Sequence, residues 1–234
     1  KRRRTAVSVD TDIFYVIIIL YIPISERKNF HMQEYVMGNG AIALGALAAG
    51  VNLVAGYPGT PSSEILETIS KYRHDGVYIE WSVNEKAAME VAAAAAYSGA
   101  RAMVTMKQVG LNVAADPLMS LAYVGVKGGM VIVSADDPGP ISSQTEQDTR
   151  RFADFCRIPV FDPSSPEEAY KMIGEAFEYS EKYNTPVLFR PTTRVCHAYA
   201  SIDNCDSPSP KKYEGFVKDS KTVSYTHLTL PTIA

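Results

Sequence analysis

The chain has 234 residues, 46% of them apolar and 21% charged, with a formal net charge of −3. That composition belongs to a globular protein of one or two domains and excludes a disordered or fibrous chain. A weak negative charge, with basic residues scattered after position 30, excludes a nucleic-acid footprint. Cys156, Cys196 and Cys205 form no CxxC pair, which excludes a zinc site or an iron–sulfur ligand run and fits a reducing cytoplasm.

Lys1 to Arg4 are basic and Ile13 to Ile24 almost wholly apolar. The apolar run is shorter than the roughly 20 residues of a membrane helix. Ser25-Glu26-Arg27 offers no small-residue cleavage pattern. Residues 1–31 are therefore expected to be a leader, non-native or targeting, and no membrane partner is expected.

The domain itself is expected over residues 32–200. Asn39 to Ala49 reads as a helix closed by Gly50. Asn52 to Gly56 is a strand, and Tyr57-Pro58-Gly59-Thr60-Pro61 a turn. Thr60 is the expected N-cap and Pro61 the first residue of a helix to about Arg73, with Ile65, Leu66 and Ile69 as its inner stripe. Val77 to Trp81 is the next strand. The helix after it is thin: eight alanines fall between Ala87 and Ala100, so a neighbouring element or a flat ligand can come close.

A strand is expected from Ala102 to Met106, then a helix over Asn112 to Tyr123 interrupted by Asp116-Pro117. Gly128 to Ala135 is a buried strand, and Asp136-Asp137-Pro138-Gly139-Pro140 a loop. Glu146 to Cys156 is expected as helix and Ile158 to Phe161 as strand. Ser165-Pro166-Glu167-Glu168 is a capping box opening a helix to about Lys182, with Ala169, Met172, Ile173, Ala176 and Phe177 inward. Val187 to Arg190 closes the set, and beyond His197 regular structure is expected to fade. Residues 201–223 read as a linker or the start of a next domain, and residues 224–234 as a non-native tail. Short strands alternating with longer helices predict an α/β fold: an open, mostly parallel sheet with helices on both faces.

Glu85 is the candidate catalytic group. Ser82 followed three residues later by Glu85 is a capping box, and an acid in the first helical turn suits the macrodipole. The same position, at a helix mouth after a strand, lets a carboxyl group reach a ring nitrogen over the sheet edge. The residues alone leave both readings open. No GxGxxG or GxxxxGK cradle occurs, which argues against dinucleotide and P-loop folds. His74, His197 and His227 stand apart and form no ligand set.

Several motifs recur in order from about Met37 to His197: Gly56-Tyr57-Pro58-Gly59-Thr60-Pro61-Ser62-Ser63-Glu64, Asn84-Glu85, Tyr97-Ser98-Gly99-Ala100-Arg101, Lys107-Gln108-Val109-Gly110, Asp116-Pro117-Leu118-Met119 and Ser142-Ser143-Gln144-Thr145-Glu146-Gln147-Asp148. Together they resemble the pyrimidine-binding domain of thiamine diphosphate enzymes, and more narrowly the alpha subunit of the indolepyruvate:ferredoxin oxidoreductases.

The resemblance implies that Glu85 hydrogen-bonds the aminopyrimidine nitrogen opposite the exocyclic amine, with Gly59, Thr60, Gln108 and Gly110 around the cofactor; for Gln108 and Gly110 a plain strand-end turn is the alternative. Thr60 would also face the substrate carboxylate or keto group, an alternative to its role as a cap. Lys107 is a further anion contact, and Gln144, Glu146 and Arg150 form either a wall toward a partner subunit or plain surface. The Gly-Asp-Gly…Asn motif for the diphosphate and Mg²⁺ is absent, as are cysteine-rich motifs for [4Fe–4S] clusters. The resemblance thus implies the N-terminal third of a larger cytoplasmic oxidoreductase subunit, inactive alone. Its expected partners are a diphosphate-binding domain, a beta subunit, ferredoxin, coenzyme A and a 2-oxo acid such as indolepyruvate. Another thiamine enzyme of decarboxylase type, or a non-catalytic interface domain with Glu85 as a mere cap, are the alternatives.

Overall fold

Residues 32–73, 75–204 and 209–216 are described by a computed structural model. The expectations for residues 1–31 and 224–234 lie outside the described residues. In chain order the elements are β1 (Met32–Met37), α1 (Gly38–Ala48), β2 (Leu53–Gly56), α2 (Ser63–Tyr72), β3 (Tyr78–Trp81), α3 (Glu85–Tyr97), β4 (Ala102–Lys107), α4 (Gln108–Val113), α5 (Ala115–Val124), β5 (Met130–Ala135), α6 (Arg150–Cys156), β6 (Val160–Phe161), α7 (Pro166–Tyr183), β7 (Val187–Phe189), α8 (Thr193–His197) and β8 (Tyr199–Asn204). Six strands form one sheet in the order β3-β2-β4-β5-β7-β6, every pair parallel.

Alternation along the central strands separates two cores. On β4, Met103 faces one layer while Ala102, Val104 and Met106 face the other; on β5, Val131 and Val133 oppose Met130 and Ile132. The first layer holds α1, α2 and α7, with Ile42, Ile65, Ile69, Ile173 and Phe177 fully buried. The second holds α3, α4, α5 and α6, where Ala88, Ala92 and Ala96 let α3 lie close on the sheet. Connections that all turn the same hand put helices on both faces in this way. Among the described residues, no helix is long and apolar enough to cross a membrane.

Local signals set the ends of several elements. Gly50, at φ +72°, ends α1: its own N–H donates to Leu47 and that of Val51 to Ala46, two orphan carbonyls that a left-handed residue brings within reach. Ser165 caps α7 by accepting from Glu168 N, with Pro166 as first helical residue. Phe177 on α7 packs against Gly129, and the Arg101 guanidinium lies 5.7 Å over its ring. Truncating so large a buried ring costs about 3–5 kcal/mol. Arg101 also grips Glu181 with both Nε and Nη2 at 2.8 Å, joining the start of β4 to α7.

Four local expectations are corrected. Helix α2 starts at Ser63, because Ser62 N and Ser63 N both donate to Gly59 O and make the preceding residues a turn; Thr60 is not its N-cap and Pro61 not its first residue. Helix α3 is capped by Asn84, whose side chain accepts from Ala87 N at 2.8 Å, while Ser82 Oγ donates to Glu80 instead, so Ser82 and Glu85 form no capping box. The helix after β4 breaks at Ala114, before the proline, which sits harmlessly in the first turn of α5. Helix α6 begins only at Arg150, since Asp136 draws the preceding Thr149 inward.

A fifth correction concerns residues beyond His197. Strand β8 pairs antiparallel with β1, from Met37↔Tyr199 to Met32↔Asn204. Val36 and Ile202 of this ribbon cover Ala41 and Leu44, which is how α1 becomes buried along almost its whole length. Further on, Lys211 is docked: Asn52 Nδ2 donates to its carbonyl at 2.7 Å and its ammonium meets Glu181 at 2.7 Å.

Candidate functional site at the switch point of the sheet

After β2 the chain moves outward to β3, then returns past β2 to β4. Strand order therefore reverses between β2 and β4, and in parallel sheets the crevice beyond the strand ends at such a point is where ligands bind. Three connections meet there: the 57–62 turn after β2, the residues that lead from β3 into α3, and α4, which follows β4 without a loop.

Glu85 is the first residue of α3 and half-buried. A β-carbon on Gly110 would lie 2.5 Å from Glu85 Oε1 and 2.6 Å from its Cγ. Only a glycine at that point of α4 lets the carboxyl group lie where it does. Among the described residues the Glu85 carboxylate makes no hydrogen bond or ion pair, so its oxygens are left for something else.

Gly59 meets Lys107 across the crevice: a β-carbon there would stand 2.9 Å from Lys107 Cδ. The turn holding Gly59 is braced twice. Gly59 N donates to Ser63 Oγ at 2.8 Å, and Asn39 Nδ2 of α1 donates to Pro61 O at 2.6 Å and Glu64 Oε2 at 2.9 Å. Thr60 stands exposed on this turn. Gln108 is fully buried, and its amide is engaged at both ends: Nε2 donates to Thr145 O at 2.6 Å, and Oε1 accepts from Asp137 N. Gln108 thus ties the 137–145 loop to the start of α4 rather than presenting a free amide. Gln144 and Glu146 are exposed, and Arg150 pairs with Asp148 and Asp162.

The structure adds two acids to the site's frame. Asp136, fully buried at the end of β5, pairs with Arg190 Nε at 2.7 Å and accepts from Thr149 N and Oγ1. Asp137 accepts from Ile141 N, Ser142 N, Ser143 N and Thr193 Oγ1. Burial works to raise the Asp137 pKa, but the donors from Ser142, Thr193, Ser143 and Ile141 outweigh it and hold it at about 2. Adjacent aspartates before a Pro-Gly-Pro turn were the available signal; their partners lie too far along the chain to be paired from sequence. The Cys196 thiol is buried and its pKa raised by desolvation, so it is inert. Among the described residues no acid, histidine or cysteine cluster could hold a metal ion.

Residues 44–228 match the family described as "Pyruvate flavodoxin/ferredoxin oxidoreductase, thiamine diP-bdg". The chain belongs to this thiamine diphosphate-binding family. Within it, the chain is 52% identical over 170 residues to indolepyruvate oxidoreductase subunit IorA of Methanothermobacter marburgensis, and 51% over 189 residues to the same subunit of Thermococcus kodakarensis. These alignments cover 72% and 78% of this chain but 28% and 29% of the relatives, so the chain spans under a third of their length. The 2-oxoglutarate synthase subunit KorA of Methanocaldococcus jannaschii is 29% identical over 77% of the chain and 52% of that relative. A solved 2-oxoglutarate:ferredoxin oxidoreductase from Magnetococcus marinus shares the fold: TM-score 0.67, 18% identity, 78% of this chain and 34% of that one. The family's cofactor fits the crevice, since a half-buried carboxylate without a protein partner, backed by a glycine, is what a heterocyclic N–H needs.

Proposed function

We propose that this chain is the pyrimidine-binding part of a 2-oxo-acid:ferredoxin oxidoreductase that acts on indolepyruvate and related aryl pyruvates. The observation that supports it is the Glu85 carboxyl group, unpartnered and held against Gly110 at the switch-point crevice. Thiamine diphosphate, when bound, supplies the electron sink for cleavage beside the keto carbon.

Glu85 holds one proton between its carboxyl oxygen and a ring nitrogen, and so sets which tautomer of the aminopyrimidine is present. Gly110 leaves the space in which the Glu85 carboxyl group lies, and Gly59 the space taken by the Lys107 stem, so these two glycines set where the acid and the base would stand toward a bound cofactor. Thr60, exposed on the braced turn, offers a hydroxyl toward the substrate carboxylate or keto oxygen. Gln108 acts through the loop it ties, holding that loop to the start of α4 beside the crevice. The diphosphate-binding domain with its Mg²⁺, the beta subunit, the [4Fe–4S] clusters, coenzyme A and ferredoxin belong, in this reading, to the rest of a cytoplasmic complex.

The test is Glu85→Gln in the assembled enzyme, assayed with indolepyruvate. Turnover should drop at least about 100-fold, the usual contribution of a positioned acid–base group, with the melting temperature unchanged. Wild-type turnover in that variant rules the assignment out.

A further inference from the structure

Beyond the ends of β5 and β7 lies a cavity of about 560 Å³. It is lined by Pro138, Ile141, Thr192, Thr193, Arg194 and His197. Its size falls in the range of small-molecule sites, about 300–1,000 Å³. Its floor is rigid: Asp136 N donates to Pro191 O, Thr193 N to Asp136 O, and Thr193 Oγ1 to Asp137. One wall is the loop that Asp137 ties down through three consecutive backbone amides, and it presents Ile141 with 82% of its surface exposed. The other wall is α8, where Arg194 and His197, three residues apart, fall on one helical face. Both are exposed, and among the described residues neither side chain makes a hydrogen bond or an ion pair. Asp137, beside this loop, already has four donors around its carboxylate.

We propose that this cavity binds a small organic anion, its carboxylate or phosphate on Arg194 and His197 and its apolar body against Pro138 and Ile141. An arginine fork suits either anion, and a flanking apolar wall selects those carrying a hydrophobic group. The site involves none of the residues assigned to thiamine diphosphate and does not rest on that reading.

Calorimetric titration of the full 234-residue chain tests it with four probes: phenylpyruvate for a carboxylate, coenzyme A for a phosphate, inorganic phosphate without an apolar body, and uncharged phenylacetamide. At least one of the first two should bind, and which one does identifies the anion; the last two should bind more weakly. Arg194→Gln and His197→Gln should each weaken binding about tenfold, as expected for one lost charge-assisted hydrogen bond. Ile141→Ser should weaken the organic anion and leave inorganic phosphate unaffected. In the assembled enzyme, Arg194→Gln should keep the wild-type affinity for thiamine diphosphate, which separates this site from the crevice at Glu85. Binding of neither organic anion, or equal binding by the Arg194→Gln/His197→Gln double variant, overturns the proposal.

Discussion

Glu85 and Gly110 are packed so closely that the smallest side chain on the glycine would overlap the carboxyl group, with a β-carbon 2.5 Å from Oε1. Gly110→Ala is the mildest way to displace the acid without removing it. Alanine raises helix propensity by about 0.5–1 kcal/mol, which offsets part of the crowding, and the carboxyl end of Glu85 can swing aside. The melting temperature should therefore move only slightly. Thiamine diphosphate affinity of the assembled enzyme should fall about tenfold or more, the equivalent of one lost hydrogen bond to a charged group. Parallel thermal melts and cofactor titrations check both halves.

Asp137 predicts a defined acid limb of stability. Its folded-state pKa of about 2 lies below the roughly 3.9 of an unfolded aspartate, so its contribution is fully present above about pH 4 and lost as pH falls toward 2. The difference corresponds to about 2.6 kcal/mol. Urea denaturation between pH 5 and 2 should show that loss, and Asp137→Asn should remove this part of the slope.

The pair of Arg190 and Asp136 is 8% and 0% exposed, so either charge alone is buried without compensation. Arg190→Met should destabilise by about 3–5 kcal/mol. Adding Asp136→Asn should recover much of it, because the amide oxygen still accepts from Thr149. A double-mutant cycle in urea measures the coupling.

Gln108→Leu keeps the shape of a buried side chain but strands Thr145 O and Asp137 N. The expected destabilisation is about 1–3 kcal/mol for each group left unsatisfied. Hydrogen exchange at the Ser142 and Ser143 amides should accelerate with it, since their acceptor Asp137 loses its own tether.

What the sequence made legible was local. The strand–helix alternation, the inner stripe of Ile65, Leu66 and Ile69, the Gly50 terminus and the Ser165 cap all follow from neighbours a few residues apart, and all stand in the structure. Near misses arose where two residues competed for one local job: Asn84 displaced Ser82 as cap because Glu80 takes the serine hydroxyl. Thr60 lost its expected place because Gly59 O gathers the next amides into a turn. Strands β1 and β8 escaped notice since each finds its partner more than 160 residues away. Gln108 shows the same limit, for its residue type could be read but not the loop its amide would tie.

The most direct measurement of the central claim is the near-ultraviolet circular dichroism of thiamine diphosphate bound to the assembled enzyme, wild type against Glu85→Gln. If Glu85 shares a proton with the ring, the wild type shows the imino-tautomer band, and the variant binds cofactor without it and turns over at least about 100-fold more slowly. An unchanged band together with unchanged turnover in Glu85→Gln would contradict the account.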